Sequence, residues 1–170
     1  MSADAATNVI ALYQTYAADF DRSRSRELVE KYWLDRFLVH LPLKASILDI
    51  GCGAGEPIAR YCIENGHDVT GIDASSELIS LCRARFPGHR WHVQDMRDMR
   101  LDSRFDGLIA WHSLFHLTPY DQQIVLQTCM RLAAEEAVLM FTAGPDRREL
   151  LDVSVANRFI TPAWHLRNIG

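Results

Sequence analysis

Asp49-Ile50-Gly51-Cys52-Gly53-Ala54-Gly55 joins a short β-rich run to a stretch of helical pattern. Glycines at such a junction let the backbone approach a ligand closely, and the helix start beyond them offers N–H groups to an anion. Eighteen residues after Gly55, Asp73 ends the next apolar run, where a carboxylate can accept two hydrogen bonds from a ribose diol. Asp95 ends a third run beside Met96, so that a side chain and a backbone N–H can bracket a purine edge. Each signal is weak alone; three successive strand ends aimed at one crevice are much more specific. After a fourth run comes Trp111-His112-Ser113-Leu114-Phe115-His116-Leu117, where either His112 or His116 has the near-neutral basicity of a general base. The competing structural reading makes His116 a core or capping histidine and His112 a cavity wall.

The elements that position these residues follow from hydrophobic spacing. Strands are expected over 46–50, 69–73, 90–94, 105–111 and 137–142, with helices over 56–65 and 76–86 between them. Gly66 can cap the first helix, and Pro87-Gly88 ends the second. Thr118-Pro119-Tyr120-Asp121 reads as a helix start, with Thr118 as N-cap, Pro119 in the first helical position and Asp121 as the capping acid. Strands alternating with helices mean right-handed βαβ units, a parallel sheet and an α/β fold. The first forty residues are helical in pattern, with Val9, Tyr13, Tyr16 and Phe20 at helical spacing, then Leu34, Phe37, Leu38 and Leu41 before Pro42. The charged stretch over 21–27 between them reads as a solvated turn or helix face.

Composition bounds the function classes. The chain of 170 residues, 48% hydrophobic and 24% charged, suits one soluble globular domain. Eighteen basic against twenty-two acidic side chains give a net charge of −4, which argues against a broadly basic nucleic-acid surface. No apolar run approaches the length of a membrane span, and residues 1–7 show no signal-peptide pattern, so a cytoplasmic protein is expected. Cys52, Cys62, Cys82 and Cys129 form no CxxC pair and no zinc-like spacing with histidine. Buried reduced thiols and no metal are the expectation.

Two cofactor classes compete for the glycine turn. A nicotinamide fingerprint needs a third glycine where Glu56 stands, and this chain has G-x-G-x-G with Asp49 two residues before it. Asp49–Gly55, Gly71-Ile72-Asp73, Gln94-Asp95-Met96 and Phe105-Asp106-Gly107 together resemble the class I S-adenosylmethionine-dependent methyltransferases, over roughly 46–144. The likeness is greatest to small bacterial members that act on small molecules. It implies a Rossmann-like three-layer sandwich with strand order 3-2-1-4-5, and a helical lid over 1–44 on a core over 45–145. In that pattern the backbone of Gly51, Cys52, Gly53 and Gly55 holds the methionine part of the cofactor. Asp49 acts through the loop on its ammonium end, and Asp73 takes the ribose hydroxyls. Asp95 accepts from the adenine amine, Met96 donates its N–H to the ring, and Met96 or Ala74 packs on its face. Trp111 lines the cavity near the sulfonium. Apart from that pattern, Tyr13, Tyr16 and Trp33 stand where they can close the pocket from the N-terminal helices, with core packing expected for at least one of them. No Asn/Asp-Pro-Pro-aromatic motif follows the fourth strand, and with the acidic balance this leaves a small molecule as acceptor. The alternatives are a catalytically impaired protein binding S-adenosylmethionine or its product S-adenosylhomocysteine, and an NAD(P)-dependent oxidoreductase.

The resemblance breaks near the end of the chain. The family adds a helix and an antiparallel strand pair after the fifth strand, whereas the segment over 146–170 matches neither and has no carboxylate beyond Asp152. Back-translated from Arg148 onward with synonymous codons, another reading frame can spell GVVGRFGGEPVYHASLAPEEYR, which looks like the tail of this subfamily. The expectation is therefore an atypical, out-of-frame tail and a missing strand pair. An exposed fifth-strand edge would follow, open to pairing in a homodimer or covered by Phe159, Ile160, Trp164 and Leu166.

Overall fold

A computed structural model describes residues 14–23, 27–142 and 159–160 of the chain. Its sheet has the order β3-β2-β1-β4-β5-β6, and every neighbouring pair is parallel. The strands are β1 (Ser46–Ile50), β2 (Asp68–Asp73), β3 (Arg90–Val93), β4 (Phe105–Ala110), β5 (Ala133–Phe141) and β6 (Phe159–Ile160). The helices are α1 (Ala17–Ser23), α2 (Lys31–Leu38), α3 (Ile58–Glu64), α4 (Ser76–Arg85) and α5 (Pro119–Leu132). The expected order 3-2-1-4-5 is present.

Central strands buried on both faces need apolar residues in succession, and β1, β2 and β4 supply them. Ile47, Val69 and Ile109 pack on one side against Leu34 and Phe37 of α2, Cys62 of α3 and Ile79 of α4. Leu48, Ile50, Ile72 and Leu108 face the other side, against Val125, Cys129 and Leu132 of α5. The result is three layers. Ser75 caps α4 by accepting the Leu78 N–H at 3.3 Å, and Thr118 caps α5 by accepting the Asp121 N–H at 3.1 Å. Gly66 ends α3 at φ +86°, as its composition suggests.

Two expectations need correction, and for the β5 edge the second of the two expected arrangements, cover by residues of the tail, is present. β5 starts at Ala133, earlier than expected, because the chain leaves α5 already extended and bulges between the Phe105–Ala133 and Gly107–Val138 pairings, with Glu136 at φ +64°. The β5 edge is not wholly open, because Phe159 and Ile160 pair with Leu139 and Met140. The charged stretch is not merely solvated. Asp21 forms a half-buried ion pair with Arg85, whose guanidinium also donates to the Ala54 carbonyl at 3.3 Å. Together with Ala17 packed on Ala54 and Leu78, this fastens α1 beside the glycine turn. The rest of the atypical tail lies outside the described residues.

Helix α2 approaches the sheet where only glycine fits. A Cβ on Gly107 would lie 2.6 Å from Phe37 Cζ and 2.9 Å from Leu41 Cδ1. Gly107→Ala is expected to destabilise the fold by about 1–3 kcal/mol through overpacking, read as a lower urea midpoint at unchanged m-value.

Candidate functional site

The glycine turn is built by β2 as much as by its own residues. The Gly51 and Cys52 N–H groups donate to the Ile72 carbonyl at 2.8 and 3.0 Å, closing the turn onto the end of β2. Gly51, Gly53 and Gly55 have φ of +75°, +57° and +78°, a region that costs glycine little and other residues much. At Gly51 close approach matters as well, because a Cβ there would stand 2.6 Å from Ser113 Cβ and 3.2 Å from Met96 Cε.

Asp73 sits at the centre of this arrangement. One of its carboxylate oxygens accepts the Gly53 N–H at 3.0 Å and the other the Ser75 N–H at 2.9 Å. Burial pushes its carboxyl above the usual range, and the N–H groups of Ser75, Gly53 and Ala74 partly offset that. Each oxygen keeps acceptor capacity beyond its one backbone bond.

A single crevice of about 990 Å³, its open mouth included, brings the predicted residues together. Asp49, Gly51, Cys52, Gly53, Asp73, Ala74, Asp95, Met96, Trp111, His112 and His116 all line it, as the sequence predicts. Gly55 shapes the turn against Phe86 and does not line the crevice. Of the residues expected on the N-terminal helices, Tyr16 is 53% exposed and Trp33, on α2, packs on the core as expected for at least one of them, so neither lines the crevice. Tyr13 lies outside the described residues.

The structure adds residues that spacing missed. Glu56 is buried in the crevice wall and paired with Arg60, whose Nε donates to its two oxygens at 2.9 and 2.7 Å. Its sequence signal was the absence of a glycine, which carries no hint of a role. Arg97 also lines the wall, and its Nε donates to both Asp95 oxygens at 3.0 Å while its backbone N–H donates at 2.9 Å. Burial raises the Asp95 carboxyl, but the bonds from Arg97 more than offset this and hold it below the usual range. The acid expected to meet a purine amine thus already carries a guanidinium. No pattern in the sequence announces a partner two residues on, because that contact depends on the tight turn over Met96–Asp98.

The far wall is Trp111, His112, Ser113, His116 and Leu117. Trp111 Nε1 and Ser113 Oγ are buried without a hydrogen-bond partner among the described residues. Burial lowers the basicity of His116, and the neighbouring His112 lowers it further. The cysteines are buried free thiols, and burial pushes Cys129 up to about 12.

A parallel sheet whose strand order reverses between β1 and β4, with a glycine turn and successive acidic strand ends at that crevice, defines a doubly wound α/β fold with a crevice of the kind that takes nucleotide-type cofactors. The family description "Methyltransferase domain" matches residues 47–136, just over half of the chain. The chain belongs to the class I S-adenosylmethionine-dependent methyltransferase family. YqeM of Bacillus subtilis (strain 168) is 32% identical over 136 residues, covering 76% of this chain and 54% of that protein. The malonyl-[acyl-carrier protein] O-methyltransferase of Salmonella typhimurium is 30% identical, covering 76% of this chain and 53% of its own. Among solved structures, SAM-bound CalS10, an amino pentose methyltransferase from Micromonospora echinaspora, superposes with TM-score 0.58 at 26% identity, over 71% of this chain and 52% of that one. The chain spans about half the length of the relatives it matches. No helix among the described residues is long and apolar enough to cross a membrane.

Two measurements check the electrostatics and packing of the site. In a histidine NMR titration His116 should have its midpoint below 6.5, and His112→Gln should raise it, since removing the neighbouring imidazole removes one of the two depressing influences. Gly51→Ala should lose affinity for S-adenosylhomocysteine by calorimetry, because its Cβ would collide with Ser113 and strain the turn.

Proposed function

We propose that this chain binds S-adenosylmethionine in the crevice and transfers its methyl group to a small-molecule acceptor. One observation carries the reading: Asp73 joins the glycine turn to the end of β2 inside a crevice that Asp49, Asp95 and Met96 also line. The donor set fits the cofactor. Gly51 brings bare backbone to the crevice wall where a Cβ would collide with Ser113, Asp73 has lone pairs for a ribose diol, and Met96 offers an apolar face beside Asp95. Asp49 adds an acidic side chain at the turn, suited to an ammonium group. A nicotinamide cofactor fits less well, because a buried, Arg60-bound carboxylate stands where that fingerprint needs its third glycine.

When bound, the cofactor would supply a methyl group already activated on a sulfonium. The protein then has to align the acceptor and keep water away, and alignment alone can contribute roughly 7–11 kcal/mol. Trp111 and Leu117 supply apolar wall. His116, held neutral at pH 7 by its surroundings, can accept a proton from the acceptor, and so can His112 at the rim. The relatives' acceptors include an acyl-carrier-linked malonyl group and an amino pentose, so a small oxygen or nitrogen nucleophile is the proposed class. Buried free cysteines agree with a reducing, cytoplasmic setting.

Calorimetric titration with S-adenosylhomocysteine tests the reading, with NADH as control. Binding of the first is expected and of the second is not. Asp73→Ala should weaken it about ten- to hundredfold, as loss of charge-assisted bonds worth about 1.5–3 kcal/mol implies. Binding of NADH alone, or of neither by folded protein, would overturn the assignment.

A further inference from the structure

Thr142 follows the last residue of β5 and is buried, with both of its polar groups turned toward the chain leaving β4. Its N–H donates to the Ala110 carbonyl at 3.2 Å, which continues the β4–β5 pairing by one step. Its Oγ1 accepts the His112 N–H at 2.7 Å. That second bond falls where the backbone is least at ease. His112 has φ +53°, in the left-handed region that a residue with a Cβ occupies only at a cost in free energy.

Strain of this kind persists only where neighbours over-determine it, and here they do so from two sides. Thr142 holds the His112 N–H, while the next residue, Ser113, is wedged against the turn at Gly51 so tightly that a Cβ there would collide. The conformation sets His112 at the rim of the crevice, its ring 5.5 Å from that of Trp111 and 6.0 Å from that of Phe115. Threonine suits the task. Its branched Cβ favours extended backbone at the end of a strand, and its hydroxyl offers an acceptor beyond the sheet's last hydrogen bond.

We infer that Thr142 is a positioning residue, whose hydroxyl holds His112 in its left-handed conformation and thereby fixes the imidazole at the acceptor end of the crevice. The inference rests on the cofactor reading above, since a bound cofactor is what makes that rim a place of reaction. It adds a residue from the opposite strand to a site otherwise built from the glycine turn and the ends of β2, β3 and β4.

The test uses the whole chain labelled with nitrogen-15 at the backbone amides and carbon-13 at histidine Cε1, with the His112 signals assigned through His112→Gln. In the wild type, the His112 amide should be protected from hydrogen exchange, and its imidazole signal should move on saturation with S-adenosylhomocysteine. Thr142→Val keeps the shape and removes the acceptor. It should shift the His112 signal before any ligand is added and reduce the ligand-induced movement at least threefold, with affinity for S-adenosylhomocysteine within threefold of the wild type. Thr142→Ser keeps the hydroxyl and should restore the wild-type pattern, which a purely structural role for the threonine methyl would not allow. An unprotected His112 amide in the wild type overturns the inference without recourse to any variant. So does a Thr142→Val protein whose His112 signal and ligand response match the wild type, or a wild-type His112 signal indifferent to the ligand. Failure of the wild type to bind S-adenosylhomocysteine would remove the cofactor reading instead, and the unliganded spectra would still decide whether Thr142 holds His112.

Discussion

The site depends on the carboxylate of Asp73 more than on any other group. By accepting N–H groups from Gly53 and Ser75, it ties the glycine turn to the end of β2 and to the start of α4. The Ile72 carbonyl reinforces the tie by taking the Gly51 and Cys52 N–H groups. The turn is thus not a loose loop awaiting a ligand. Its N–H groups are partly satisfied from within the sheet, and the backbone shape that a cofactor requires exists before the cofactor arrives. The cost falls on Asp73, whose burial disfavours its charge and is only partly offset by the backbone. That tension suits a ligand-binding acid, because two hydroxyl donors stabilise the same charge that burial disfavours.

The acids of the crevice solve the problem of burial in two different ways. Glu56 and Asp95 are neutralised by arginines on their own segments, Arg60 one helical turn along and Arg97 two residues on. Asp73 is compensated instead by backbone dipoles, which carry no net charge. Negative charge is therefore left at Asp73, beside the turn, and cancelled at Glu56 and Asp95. A wall of this kind favours a cationic ligand at the glycine turn and tolerates a neutral ring at the other end. Arg97 also makes Asp95 a poorer acceptor than a bare carboxylate, so recognition there relies on shape and on Met96 as much as on a hydrogen bond.

Legibility in the sequence follows the range of the physics involved. The strands, the glycine turn and the acidic strand ends were readable, because each rests on local spacing and on burial patterns that parallel strands impose, whereas the strand order followed only from the family resemblance. The start of β5 was not. Ala133-Ala134-Glu135-Glu136 is composed of good helix formers, and only the pairing with β4 draws it into the sheet. Asp21 looked like one charge in a solvated run, because its partner Arg85 lies far along the chain. Arg97 and Thr142 were missed for a related reason. One acts through a single tight turn and the other across two strands, and neither leaves a periodic trace.

The segment 110–113 joins the two sides of the crevice. On one flank Ser113 abuts Gly51, the residue whose missing side chain opens the cofactor turn. On the other, Thr142 reaches from β5 to hold His112. A displacement of either flank is felt by the other, because the left-handed turn at His112 leaves the intervening backbone no relaxed alternative within the same contacts. The place where the acceptor would meet the methyl group is thus set by the closest approach between two turns, one on β1 and one on β4. That explains why glycine stands at 51 and a small residue at 113: bulk at either position would separate the two sides of the crevice.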